Sequence, residues 1–118
     1  VSNGMRNSQA THVDFGFLRG AIKSNPKVIP VNLDMVYEHK GHFLFAEWKR
    51  ENEEISEGQK ILLRNLAKLH TVLLIIGHSD ETSTEVKDFY WVRGLYMTHV
   101  GKGIDSLKDY IDDWWNEY

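Results

Sequence analysis

No cysteine occurs in the 118 residues of this chain. Disulfides, thiol nucleophiles and cysteine-ligated metal sites are therefore excluded, and the composition suits a reducing intracellular compartment such as the cytoplasm. Long apolar runs are missing as well. The longest, Val72 to Ile76, is five residues, against the roughly 20 that a bilayer-spanning helix needs, so no membrane partner is expected. No signal-peptide pattern is visible, and Val1–Gly4 reads as a remnant ahead of a natural start at Met5. Internal repeats and low-complexity linkers are absent, which points to a single domain over residues 1–118.

Basic charge is also in short supply, with a net charge of −3. The deficit is local: residues 105–118 hold five acids against Lys108, a net −4, which leaves the rest of the chain at +1. An acidic tail on a near-neutral body remains compatible with a polyanionic substrate. With 42% hydrophobic and 26% charged residues, a chain of this size buries roughly two-thirds of its unfolded surface without needing staples.

Periodicity then orders the elements. Residues 9–23 read as a helix with Val13, Phe17 and Ala21 on one face, ended by Asn25-Pro26. The β-branched stretch Val31–Glu38 and the segment Phe43–Lys49 read as a hairpin turning on Lys40-Gly41. Ser56 opens a helix reaching His70, with Leu62, Leu66 and Leu69 at helical spacing, and "TVLLIIGH" reads as a strand buried on both faces. "DFYWVRGLYMTHV" looks like two short strands bent at Arg93-Gly94. The tail is an amphipathic helix with Ile104, Leu107, Ile111, Trp114 and Tyr118 on one stripe. The long helical crossover makes the third strand parallel to the second. The expected fold is α/β: a mixed β-sheet flanked by helices, with a core over about 9–78 and a C-terminal hairpin and helix over about 86–118.

One juxtaposition carries chemistry. A two-residue turn at Lys40-Gly41 sets Asp34 opposite Glu47, with their Cβ atoms roughly 4.5–5.5 Å apart, and puts Lys49 on the same face. A bulge at the turn would slip this register by one. Like charges facing each other across a strand pair destabilise it unless something positive lies between, and Mg²⁺ or a similar hard cation takes one or two carboxylates plus water and phosphate oxygens. The backbone carbonyl of Trp48 can add a further ligand. A lysine beside such a site can position or activate water and stabilise charge on a phosphate. The plain alternative is a solvated strand end carrying a weak Glu47–Lys49 surface pair.

The pattern of Asp34, then "FLFAEWK" with Glu47 and Lys49, then "SEGQKILLRNL" resembles the PD-(D/E)XK nuclease superfamily. It is most similar to the small VRR-NUC and Holliday-junction-resolvase-like members common in phage and repair systems. The resemblance covers about residues 28–78. It implies a restriction-endonuclease-like core and a DNA-cleaving enzyme in which Asp34 and Glu47 bind Mg²⁺ or Mn²⁺. Lys49 completes the catalytic centre, and Gln59 matches a glutamine beside the active site. Asp14 is the candidate for the acid that the family's first helix often supplies. Two departures stand out: Leu33 occupies the position of the family's proline, and the first core strand is barely visible between Pro26 and Pro30. Junction-cleaving relatives act as two-fold dimers, so a homodimer is a further expectation. The rival reading is a non-catalytic nucleic-acid-binding or protein-interaction module on the same fold.

Other features admit two readings each. Gln59 also completes an S-x-x-Q capping box with Ser56. Lys60, Arg64 and Lys68 form either a solvated stripe or a nucleic-acid-binding surface. Lys27, Arg50 and Arg93 are weaker candidates for the same task. The six histidines form no zinc motif. Phe89, Tyr90, Trp91 and Tyr96 suit sheet packing or base stacking. Of the adjacent Trp114 and Trp115 one must face outward, where a dimer contact can cover it.

Overall fold

The computed structural model describes residues 13–118. The chain divides into two compact units, residues 1–30 and 31–118. In the first, the expected helix does not form among the described residues. Only a short 3-10 turn, Phe15–Leu18, is present, capped by Asp14, whose Oδ1 accepts the Gly16 N–H at 2.8 Å. The physical reason is backbone chemistry. Gly20 takes a φ of 90° that a right-handed helix cannot contain, and a capping Asp and two glycines favour turns over helix. The apolar stripe is not buried either, and Phe17 is 73% exposed. Residues 9–12 lie outside the described part.

The second unit is a small α/β domain. Its elements are β1 (Met35–His39), β2 (His42–Lys49), α1 (Glu57–Leu66), β3 (Thr71–Ser79), β4 (Thr84–Arg93), β5 (Tyr96–Gly101) and α2 (Gly103–Asn116). The five strands form one mixed sheet in the order β1-β2-β3-β4-β5. Only β2 and β3 are parallel, as the α1 crossover requires, and every other neighbour is antiparallel. The first strand begins at Met35, four residues later than its composition suggests, and β4 begins at Thr84, ahead of its aromatic run.

Each face of the sheet has its own core. Leu44, Ala46, Leu73, Ile75, Val86 and Phe89 pack beneath α2, which contributes Leu107, Tyr110, Ile111 and the buried Trp114. On the other face Val72, Leu74 and Val92 meet Leu63, Leu66 and Ala67 of the α1 region. Strand β3 contributes to both cores, which explains its unbroken apolar run. Helix α1 stops at Leu66, before the expected end at His70, so Leu69 is 84% exposed and Leu63 is the fully buried anchor. The turn at Ala67–His70 is held by backbone bonds to Asn65, Leu66 and Leu63. Among the described residues no helix is long and apolar enough to cross a membrane.

Helix α2 also grips the hairpin tip. Trp115 stacks on His39 and Tyr118 on His42, each pair with ring centres 3.6 Å apart, and Lys40 Nζ donates to the Tyr118 carbonyl. The partly exposed Trp115, offered by the sequence for a dimer contact, thus has a partner within its own chain.

Close packing is strictest at Gly77 in β3. A Cβ there would sit 2.2 Å from the Glu85 carbonyl oxygen and 2.7 Å from the Trp48 ring, beside the bulge between Ile76 and Gly77. Gly58, early in α1, has ordinary room, with Val31 at 3.6 Å. Gly77→Ala should therefore lose about 1–3 kcal/mol or more through forced backbone displacement. Gly58→Ala should be neutral or gain up to about 1 kcal/mol. Urea denaturation of the two variants checks the contrast.

Candidate metal centre

The hairpin register is the foundation of the site. Lys40 and Gly41 both adopt positive φ, 51° and 82°, the combination of a two-residue turn matched to strand twist. His39 consequently pairs with His42 and Met35 with Ala46, without a bulge. One step beyond the last pair, Asp34 faces Glu47. Alternation from the turn makes this a non-hydrogen-bonded position, where side chains approach most closely.

At that point the backbone ladder ends and a side chain replaces it. Asp34 Oδ2 accepts the Trp48 N–H at 2.8 Å. In extended backbone the N–H and C=O of one residue leave on the same side, so the Trp48 carbonyl also faces the Asp34 edge. Asp34 itself is exposed, whereas Glu47 and Lys49, on the α1 face of β2, are 3% and 8% exposed.

Helix α1 completes the arrangement from the crossover. Ser56 caps the helix: its Oγ accepts the Gln59 N–H, and Gln59 Oε1 accepts the Ser56 N–H at 3.3 Å. The other end of the same amide reaches the strand, where Gln59 Nε2 donates to Glu47 Oε2. The capping box is therefore present, and the same side chain also contacts Glu47, since an amide carries an acceptor and two donors. The bond goes to Glu47 rather than to Lys49.

Lys49 Nζ lies 3.8 Å from Glu47 Oε2 and 3.8 Å from Glu53 Oε2. Glu53 did not emerge from the sequence, where it is one of several acids in a polar loop. Its Oε1 accepts the Arg50 N–H at 2.9 Å, and this bond holds its carboxyl below the ordinary range. Asp14 belongs to the amino-terminal unit, with one oxygen spent on its own turn. Of the basic stripe, Lys60 and Arg64 lie on α1, with Lys60 pairing Glu57 at 3.4 Å. Lys68 follows the end of the helix and does not continue the stripe. Arg93 stacks over Trp91 at 4.5 Å, and the histidines His78 and His99 pair with Asp80 and Asp88.

Electrostatics make Glu47 the unusual group. Burial and the neighbouring Asp34 carboxylate push its pKa up to about 7, against the pull of Lys49. Among the described residues its Oε1 is buried without a hydrogen-bond partner. One oxygen of each facing carboxylate is thus committed to a protein donor, and a buried lone pair is left over. Among the described residues no group of three or more His, Cys, Asp or Glu side chains forms a metal cage. The donor set nevertheless fits Mg²⁺ or Mn²⁺, which bind through one or two carboxylates and take the remaining oxygens from water and phosphate.

Comparison with protein-family models, with curated proteins and with solved structures gives no match to this chain.

The raised pKa has a stability consequence for the metal-free protein. The folded state holds the Glu47 proton more tightly than the unfolded chain does. The resulting stabilisation is complete below about 4.5 and is lost as pH rises through about 7. The effect is on the order of 3 kcal/mol at most. With EDTA present, wild-type stability should fall between pH 5 and pH 8. Glu47→Gln should flatten that profile and be the more stable protein at pH 8, as measured by urea melts at each pH.

Proposed function

We propose that this chain is a Mg²⁺- or Mn²⁺-dependent nuclease that hydrolyses phosphodiester bonds in DNA, of the PD-(D/E)XK kind. The observation that carries the reading is the buried, unpartnered Glu47 Oε1 beside Asp34. A lone surface pair would leave both oxygens in water. Lys49 and Gln59 at the same carboxylate support it further.

A divalent cation bound there supplies positive charge that polarises the phosphoryl group and acidifies water. The chain's own groups do the rest. Asp34 and Glu47, with the Trp48 carbonyl, would hold the cation; Asp34 is steadied by the Trp48 N–H. Gln59 keeps the Glu47 carboxylate oriented by occupying Oε2, which leaves Oε1 as the oxygen that would be offered to a cation. Lys49, a compact positive charge with three donors, orients the attacking water and meets the negative charge that grows on the phosphorus oxygens. Water oxygen forms the new bond to phosphorus, the bond to the leaving sugar oxygen breaks, and that oxygen takes up a proton. The exposed Asp34 side of the site gives the substrate entry, and Lys60 and Arg64 offer positive charge to its backbone. Branched DNA and a two-fold dimer belong to the same proposal.

Mn²⁺ should raise the melting temperature of the wild type, because it binds only the folded arrangement. The gain is about 2.7 kcal/mol at a hundredfold its dissociation constant. Asp34→Asn and Glu47→Gln should lose most of it. A panel of duplex, single-stranded, flap and four-way DNA with Mn²⁺ should reveal cleavage that stops with EDTA or in Lys49→Ala. Cleavage that survives either treatment rejects the reading, and tight binding without cleavage on every substrate favours a non-catalytic DNA-binding module.

A further inference from the structure

Lys49 is held by two carboxylates rather than one. Its ammonium nitrogen is equidistant from Glu47 Oε2 and Glu53 Oε2, at 3.8 Å from each. Both separations exceed hydrogen-bond length, so the attraction is Coulombic and leaves the N–H donors for another acceptor. It is also poorly screened on the lysine side, where the side chain is only 10% exposed.

Glu53 is itself fixed in place. The loop after β2 folds back at Asn52, which takes a φ of 69° that Asn tolerates better than most residues. The Glu53 N–H then donates to the Arg50 carbonyl at 3.0 Å, and Glu53 Oε1 accepts the Arg50 N–H at 2.9 Å. One oxygen of this carboxylate is anchored to backbone, and the other is paired with Lys49. An ammonium attracted by Glu47 alone would be drawn onto the carboxylate that the proposed cation needs. A second anchored charge divides the attraction and holds the nitrogen between the two.

We infer that Glu53 is a positioning residue for Lys49, a backbone-anchored tether that keeps the ammonium off the Asp34–Glu47 pair and directed at the substrate phosphate. This rests on the nuclease reading for its catalytic meaning, but the tether itself can be observed without any substrate. Nothing in the E-x-K pattern contains it.

Lysine ammonium NMR on the full chain provides the direct test, because ion pairing slows the proton exchange that otherwise erases such signals. The wild type should show a resolved Lys49 ammonium resonance, assigned by its loss in Lys49→Met. Glu53→Gln keeps an acceptor for the Arg50 N–H and should fold, yet it should lose the resonance. Glu54→Gln, in the same loop, should retain it. In DNA cleavage with Mn²⁺, Glu53→Gln should lower kcat by about 10- to 100-fold with KM little changed. Glu53→Asp should recover part of that rate, and the thermal shift with Mn²⁺ should be smaller in Glu53→Gln than in the wild type, because the released ammonium competes with the cation for Glu47. An unchanged resonance and rate in Glu53→Gln overturn the tether and leave the nuclease reading intact. Loss of the resonance in a protein whose wild type cuts no DNA upholds the tether and overturns the nuclease reading.

Discussion

A carboxylate buried against a second carboxylate is the constraint around which the α1 side of the sheet is organised. Glu47 sits at the end of a strand whose preceding residues are apolar, so its desolvation cannot be relieved by a small shift toward water. Asp34 adds repulsion from the adjoining strand. A fold tolerates such a group by protonating it, by donating hydrogen bonds to it or by bringing positive charge to it. Glu47 meets all three: burial and Asp34 raise its pKa to about 7, Gln59 donates to it and Lys49 brings an ammonium near it.

What holds the two carboxylates together is remote from them. The register comes from the tight turn at Lys40-Gly41, and the tip of that hairpin is clamped by the ring stacks of Trp115, in α2, on His39 and of Tyr118, just beyond it, on His42. Rigid pairing from the tip sets the opposition of residues 34 and 47 through four intervening residues on each strand. The helix on the other face acts differently. Helix α1 enters with a capping box, and the residue that completes the box also reaches Glu47, so helix start and carboxylate orientation are one structural event. The acidic C-terminal helix lies on the opposite face of the sheet from Glu47, which keeps its net negative charge away from the side where a polyanion is proposed to bind.

Much of this was legible in the linear chain because it depends on short-range rules. A two-residue turn with glycine permits one register, and a period of two then dictates which side chains share a face. The parallel pairing of β2 with β3 follows from the length of the crossover. The same rules failed at the amino-terminal segment, where three apolar residues at helical spacing suggested a helix. Spacing reports which residues would share a face if a helix formed, and Gly16 and Gly20 decide that it does not. They failed again at the end of α1. A leucine at each turn suggested Leu62, Leu66 and Leu69, whereas the sheet selects Leu63, Leu66 and Ala67 by where it meets the helix.

The sequence by itself determined the opposition of Asp34 and Glu47, the placing of Lys49 on their face and the capped start of α1. Each is a matter of residues a few positions apart, or of one hairpin whose turn is only two residues long. Tertiary structure alone decided how deeply Glu47 is buried, that Gln59 serves the helix and the carboxylate at once, and that Glu53 among several loop acids meets Lys49. Those outcomes depend on where a crossover helix and a loop come to rest against a strand. Distances of that kind are set by packing over the whole sheet, and no spacing along the chain encodes them.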